Sequence, residues 1–504
     1  MTLEKLPTYI PGFDHIANGG LPKGRVTLVS GTAGSAKTVF ACSFLAQGAL
    51  HDQPGVFVTF EELPEDIRRN MRSFGWDIAQ WEAEGKWAFV DSSHTPEDQI
   101  LVGSYDFGAL IARIKHVVRR SKAQRLAIDS MSAVFSRFPD RRTVRAELFR
   151  LASALKEMGV TALITVERDS EYGPVARHNI EEFVADNVII LRNVLEDEKR
   201  RRTIEILKFR GTTHQKGEIP FTIVPEHGVV VVPLSAIELK QKSSDVRITS
   251  GNAELDRMCG GGFFRDSIIL VSGATGTGKT LIATSFLAGG AAQGERCLLL
   301  AFEESREQLF RNAIGWNVNF PHMEAEELLR VIAEYPESSS LEDHLLRIKA
   351  EINAYRPARV AIDSLSALER VGTQRSFREF VIGLTSFIKH QEIAGLFTAT
   401  TPNLLGGTSI TEAHISTITD SIILLRYVEF YGQMRRSLAV LKMRGSVHDR
   451  DIREFTIDST GMHIGRPFRN VSGILAGQFT YLDKSELDRL TDLFQDNSSN
   501  LADA

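Results

Sequence analysis

Two octapeptides in this chain have the residue types to hold phosphate groups. Gly273-Ala-Thr275-Gly276-Thr277-Gly278-Lys279-Thr280 follows an apolar run, DSIILVS, and opens a helical pattern, LIATSFLAGG, that begins at Leu281. Glycines let backbone N–H groups close around phosphate oxygens, and the helix N-terminus adds a positive dipole end. Lys279 neutralises β/γ charge and the Thr280 hydroxyl suits Mg²⁺. Gly31-Thr32-Ala-Gly34-Ser35-Ala36-Lys37-Thr38 has the same form, with Ala36 where a glycine is expected. Alanine holds right-handed helical angles cheaply and left-handed ones poorly, so the change is harmless only if residue 36 already belongs to the helix start. A glycine-rich turn of purely structural use is the alternative, and the strand-before, helix-after context argues against it.

Carboxylates stand where such sites need them. Asp129 in LAIDS and Asp363 in VAIDS end apolar runs, the place from which an acid holds a Mg²⁺ shell; capping of the next helix is the plainer role. The Mg²⁺ shell is accordingly assigned to Thr38 with Asp129, and to Thr280 with Asp363 and Glu303. Glu61-Glu62 and Glu303-Glu304 also end strand-like runs. A carboxylate beside a γ-phosphate deprotonates water or a hydroxyl; Glu61 and Glu303 are the first choices as bases, with Glu62 and Glu304 next. Lys208-Phe209-Arg210 and Lys442-Met443-Arg444 place two cations two residues apart, on one face of a strand. Each phosphate loop already has a lysine, so these cations are expected to reach a neighbouring subunit's site, as an arginine finger does. A charged strand edge that discourages aggregation is the other reading.

These groups recur in register. Lys37 and Lys279 are 242 residues apart, as are Glu61 and Glu303, whereas Asp129 and Asp363 are 234 apart, as are Lys208 and Lys442. One eight-residue length change between ordered landmarks marks a tandem duplication of a whole domain. Within each copy, short β-branched runs alternate with helical stretches such as Val144 to Met158. That pattern predicts an α/β fold, a mostly parallel doubly wound sheet, with antiparallel strands added where consecutive strand-like runs close each copy. The expected organisation is a domain over residues 1–235, a linker over 236–250, a second domain over 251–470 and a tail over 471–504.

A chain of 504 residues with 43% apolar and 24% charged residues has the means to fill two cores. A net charge of -5 argues against a dominant grip on nucleic acid or anionic lipid. Three cysteines without C-x-x-C spacing offer neither a disulfide framework nor a thiolate zinc site. With no signal-like N-terminus and no apolar run long enough to cross a bilayer, a soluble cytoplasmic protein is expected.

The copies differ at one informative place. Asp420 aligns with Asp186, which sets Ser416 against Glu182 and Thr417 against Phe183, so only the second copy offers hydroxyls there. EAHISTITDSIILL, ATGTGKT, FEES, AIDSLSAL and LKMRGSVHD, with VTFEE, EEFVADNVIILRNVLEDE and LKFRGTTHQKGE in the first half, resemble the KaiC family. These are circadian clock protein kinases of the RecA-like ATPase superfamily, and the resemblance covers about residues 8–470. It implies two RecA-like domains, a homohexameric double ring and ATP with Mg²⁺ at subunit interfaces in both tiers. It makes Ser416 and Thr417 autophosphorylation sites, Thr411 a nearby third hydroxyl and Glu303 the base. It brings Lys442, Met443 and Arg444 to the neighbour's nucleotide and gives nucleotide contacts to Trp316 and Arg436 in the second ring. Ser73, Lys208, Phe209, Arg210, Thr212 and His214 take that role in the first. The first domain would mainly hydrolyse ATP; the second would be a kinase and reverse phosphatase.

A KaiB-like partner is implied at the first ring. The tail, with Leu487, Leu490, Leu493 and Phe494 at helical spacing, is only loosely similar to the family's, which argues against a KaiA-like activator there. Two other classes share the fold. A DNA recombinase or ring helicase would be more basic, and a scaffold that uses ATP only to assemble would not need the Glu pairs.

Overall fold

The computed structural model describes residues 3–93, 107–135, 141–175, 185–196, 199–233, 243–401, 415–430, 432–469, 471–472 and 480–481. Of Ser416 it describes the backbone alone; Thr411, Glu182, Phe183 and the expected tail helix lie outside these residues. The chain divides into two compact units, Met1–Ala236 and Ile237–Ala504.

In the first unit nine strands form one sheet: β1 Val26–Gly31, β2 Gly55–Thr59, β3 Trp87–Asp91, β4 Arg125–Asp129, β5 Thr161–Glu167, β6 Asn187–Glu196, β7 Lys199–Phe209, β8 Ile219–Val224 and β9 Gly228–Val231. Their order is β3-β2-β4-β5-β1-β6-β7-β8-β9. The first six in that order run parallel and the last three are added antiparallel, as the closing strand-like runs predicted. The second unit repeats this order with β10 Ile268–Gly273, β11 Cys297–Ala301, β12 Leu329–Ala333, β13 Arg359–Asp363, β14 Ala394–Thr400, β15 Ser421–Phe430, β16 Gln433–Met443, β17 Arg453–Asp458 and β18 Gly461–Pro467.

The continuous apolar runs become strands buried on both faces. Along β1, β4 and β5, Val29, Ala127 and Leu163 pack towards helix α1, Lys37–Leu50. The alternate residues Leu28, Ile128 and Ile164 pack towards α2, Phe107–Ser121, and α3, Arg141–Glu157. All three cysteines are buried and free. No helix among the described residues is long and apolar enough to cross a membrane.

Candidate nucleotide sites

The parallel strands carry the phosphate loop, the two candidate magnesium residues and the Glu pair to one edge. β1 ends at Gly31, beside Glu167 of β5 on one side and Leu191 of β6 on the other; Thr59 of β2 lies beside Asp129 of β4. In an open α/β sheet this carboxyl edge is where ligands bind. The loop then turns into α1, whose first residue is Lys37, without a side-chain cap. Its first N–H groups therefore remain available to an anion. The second unit does the same between Gly273 and the helix α4, Lys279–Ala291.

Gly34 and Gly276 take positive φ, 76° and 79°, as does Gly278 at 106°. Ala36 also takes one, φ 70° and ψ 30°. The condition under which its methyl is harmless is thus not met: residue 36 is left-handed, and its Cβ costs about 1 kcal/mol relative to glycine.

Inside each loop one carbonyl gathers the donors. Thr32 O accepts from Ser35 N at 3.3 Å, Ser35 Oγ at 2.8 Å and Lys37 Nζ at 2.9 Å. Ala274 O accepts from Thr277 N at 3.3 Å, Thr277 Oγ at 2.7 Å and Lys279 Nζ at 3.0 Å. Burial lowers the pKa of both lysines, against the pull of Glu167, Asp129, Glu61 and Glu171 on Lys37 and of Asp363 and Glu303 on Lys279. Thr38 Oγ1 donates to Asp129 Oδ2 at 2.7 Å, so a hydroxyl and a carboxylate converge as hard oxygen ligands for Mg²⁺ do. Thr165 donates to the other oxygen of Asp129, and Thr398 to Asp363.

The Glu pairs sit just beyond β2 and β11. Glu61 Oε1 accepts from Ser130 Oγ at 2.7 Å. Burial raises its pKa, the Ser130 bond opposes this, and Asp129 and Glu167 add to it. Burial likewise raises Glu62 and Glu304, which accept from Asn70 at 3.2 Å and Asn312 at 2.9 Å. Glu303 lies 3.6 Å from Arg370. Arg436 belongs to this edge as well: it lies 5.7 Å over the ring of Tyr427, whose hydroxyl borders Gly276.

The other predicted residues gather elsewhere. Lys208 pairs with Val188 and Lys442 with Ile422, at the starts of β6 and β15. That is the amino edge of the parallel strands, opposite the phosphate loop. Phe209 ends β7 there, and Arg210, like Arg444 after β16, lies in the turn just beyond the strand and not, as expected, on its face; Thr212 and His214 follow, the His214 ring 5.5 Å from that of Phe209. The short turn Ile415–Thr417 leads into β15 at the same edge, where Arg444 Nη2 donates to Thr417 O at 2.8 Å and Lys442 Nζ to Thr419 O at 2.6 Å. Ser73 and Trp316 lie at the ends of the helices that follow the Glu pairs, Pro64–Met71 and Arg306–Gly315. Thr165, Thr398, Glu167 and Glu171 escaped the sequence reading. The threonines carried a weak signal, since LITVE and LFTAT match at an offset of 233 residues, one short of the 234 of the landmarks around them, but no motif marks the glutamates.

A family model described as "ATPase: KaiC" matches residues 6–236 and again 248–468. The chain belongs to the KaiC family. Circadian clock protein KaiC3 of Synechocystis sp. is 68% identical over 495 residues, covering 98% of each chain. Circadian clock oscillator protein KaiC of Thermostichus vulcanus is 55% identical, covering 99% of this chain and 96% of its own. KaiC of Synechococcus elongatus is also 55% identical, covering 97% and 95%. As a KaiC-family chain it carries two ATPase domains, which bind ATP, and each matched segment contains one complete phosphate loop.

Proposed function

We propose that this protein is an ATP-dependent serine/threonine autokinase and ATPase that works as a homohexameric double ring. The observation that carries this reading is the separation of donor and acceptor within one domain. Ser421 lies beside Ile269 and Leu425 beside Gly273, so four residues of β15, about 13 Å at roughly 3.3 Å each, separate the acceptor edge from the phosphate loop. Thr417 lies further back still. Neither Ser416 nor Thr417 meets the γ-phosphate held by its own Lys279, whereas a ring that sets one subunit's amino edge against the next subunit's carboxyl edge completes the site. Lys442 and Arg444 then approach the neighbour's phosphates, and Lys208 and Arg210 do so in the first ring.

In the second domain the Ser416 or Thr417 hydroxyl of one subunit attacks the γ-phosphorus of ATP in the next, and its proton passes to Glu303. The bond to the β–γ bridging oxygen breaks and ADP leaves, with Lys279 and the loop N–H groups holding the phosphates. In the first domain, where the aligned positions hold no hydroxyl, water takes the acceptor's place and Glu61 takes its proton. Thr38 and Asp129 in the first domain, and Thr280, Asp363 and Glu303 in the second, would hold Mg²⁺, which would supply charge neutralisation at the β/γ oxygens. The relatives' names place them among circadian clock proteins, which supports a role in timing or environmental signalling for this chain; a cytoplasmic location and a KaiB-like partner at the first ring are part of the same proposal.

Mass spectrometry after incubation with Mg-ATP tests the kinase. Phosphate on Ser416 and Thr417 in wild type, and its loss in Glu303→Gln, is expected; unmodified wild type would overturn the reading.

A further inference from the structure

The first phosphate loop carries a side-chain latch at Thr32, a position at which the second loop has Ala274 and so no side-chain donor. Glu171 lies four residues beyond β5, and its carboxylate accepts two hydrogen bonds. Oε1 takes the Thr32 hydroxyl at 2.6 Å and Oε2 the Asn193 backbone N–H at 3.1 Å. One bond grips the crown of the loop and the other the flanking strand β6. Glu171 is itself anchored: Arg192 Nε donates to its carbonyl at 3.1 Å, and Arg168 Nη2 donates to Gly173 O at 2.8 Å. Both arginines are buried, 6% and 4% exposed, so the segment that carries Glu171 is fixed from beneath.

The grip matters because of what Thr32 does on its other side. Its carbonyl receives Lys37 Nζ, so the placement of Thr32 sets where the phosphate-binding ammonium rests. In the second domain Ala274 has that duty towards Lys279, yet a methyl group donates nothing. The stretch after β14, from Thr401 to Ile410, contains no carboxylate at all. Both halves of the pair therefore change together between the two copies. The first loop also holds Ala36 at left-handed angles where the second has Gly278, so it is the loop with more strain to restrain. Glu171 is also one of the acids that counter the burial-driven lowering of Lys37.

We propose that Glu171 is a positioning residue for ATP use in the first domain, fixing the phosphate loop, and through it Lys37, by its bonds to Thr32 and Asn193. It acts on the loop and does not touch the reacting atoms. The proposal rests on the first domain hydrolysing ATP.

The test uses the full chain, with first-site turnover taken as the part that Lys37→Ala removes. Thr32→Ala, the second domain's own residue, and Glu171→Ala each break the latch. Each is expected to raise KM for ATP about five- to tenfold while kcat stays within about twofold, the scale of one lost net hydrogen bond. The double variant is no worse than either single one, and Glu171→Gln, whose amide oxygen still accepts from Thr32, recovers part of the loss. An unchanged KM, losses that multiply in the double variant, or Glu171→Gln as impaired as Glu171→Ala overturns the proposal. If no Lys37-dependent turnover exists, the hydrolase reading fails instead. The latch is then judged on affinity for mant-ATP, which weakens in Thr32→Ala if the latch operates and is unchanged if it does not.

Discussion

Ala36 and Glu61 give the first site a strained loop residue and a partly buried base. Ala36 is left-handed, at φ 70°, with its methyl partly buried against the core. Replacing it by glycine removes the steric cost and forfeits a small contact. Ala36→Gly is expected to stabilise the first unit by about 0.5–1 kcal/mol, raising its calorimetric unfolding midpoint by a few degrees. Glu61 titrates above the usual carboxylate range because of its burial. A base must be ionised, so phosphate release from the first site is expected to fall as pH drops through that raised value. Between its unfolded and folded pKa the native state binds more protons, so ionised Glu61 costs stability as pH rises through that window and above it. Glu61→Gln should cut hydrolysis about 100-fold or more and remove this term from the pH profile of stability, both measurable on the full chain.

At the scale of elements, one buried arginine begins the same strand in each unit and ties it to the phosphate-loop helix. Arg359 Nη1 donates to Phe286 O at 2.9 Å and Thr249 O at 2.6 Å, and its Nε donates to Glu295 Oε2 at 2.6 Å. Arg125 makes the corresponding bond to Phe44 O at 2.6 Å, together with Thr8 O at 3.1 Å and Pro7 O at 2.7 Å. Its Nε and Nη2 meet the neutral Gln53 Oε1, at 2.9 Å and 2.6 Å. Burial brings Arg125 down to about 10. A carboxylate in place of Gln53 supplies the missing counter-charge without adding volume. Gln53→Glu is expected to stabilise the first unit by about 1 kcal/mol and Glu295→Gln to destabilise the second by about 2 kcal/mol, read from denaturant midpoints of the full chain.

At the scale of the whole molecule, the opposite placement of phosphate loop and acceptor turn predicts transfer between subunits. Glu303→Gln chains lack the base and Ser416→Ala/Thr417→Ala chains lack the acceptor. Neither should become phosphorylated alone. Mixed and reassembled with Mg-ATP, they should show phosphate on the Glu303→Gln chains only, detected by mass spectrometry of chains distinguished by isotope. Phosphorylation confined within one chain would leave Glu303→Gln unmodified in the mixture.

Both phosphate loops, the Asp and Glu positions, the duplication and the sheet class were legible in the sequence. Each depends on local spacing: a glycine pattern between a strand and a helix, or an acid at the end of an apolar run. The strand order added what local spacing cannot hold. It put Lys208, Arg210, Lys442, Arg444 and the turn at Ser416 and Thr417 on the edge away from the loops, because β6 and β15 run parallel to β1 and β10 and begin where those begin. It gave Ala36 its left-handed angles, because the loop must turn sharply from strand to helix. It also joined Glu171 to Thr32 across 139 residues of chain, a pairing that exists only once β5, β1 and β6 lie side by side.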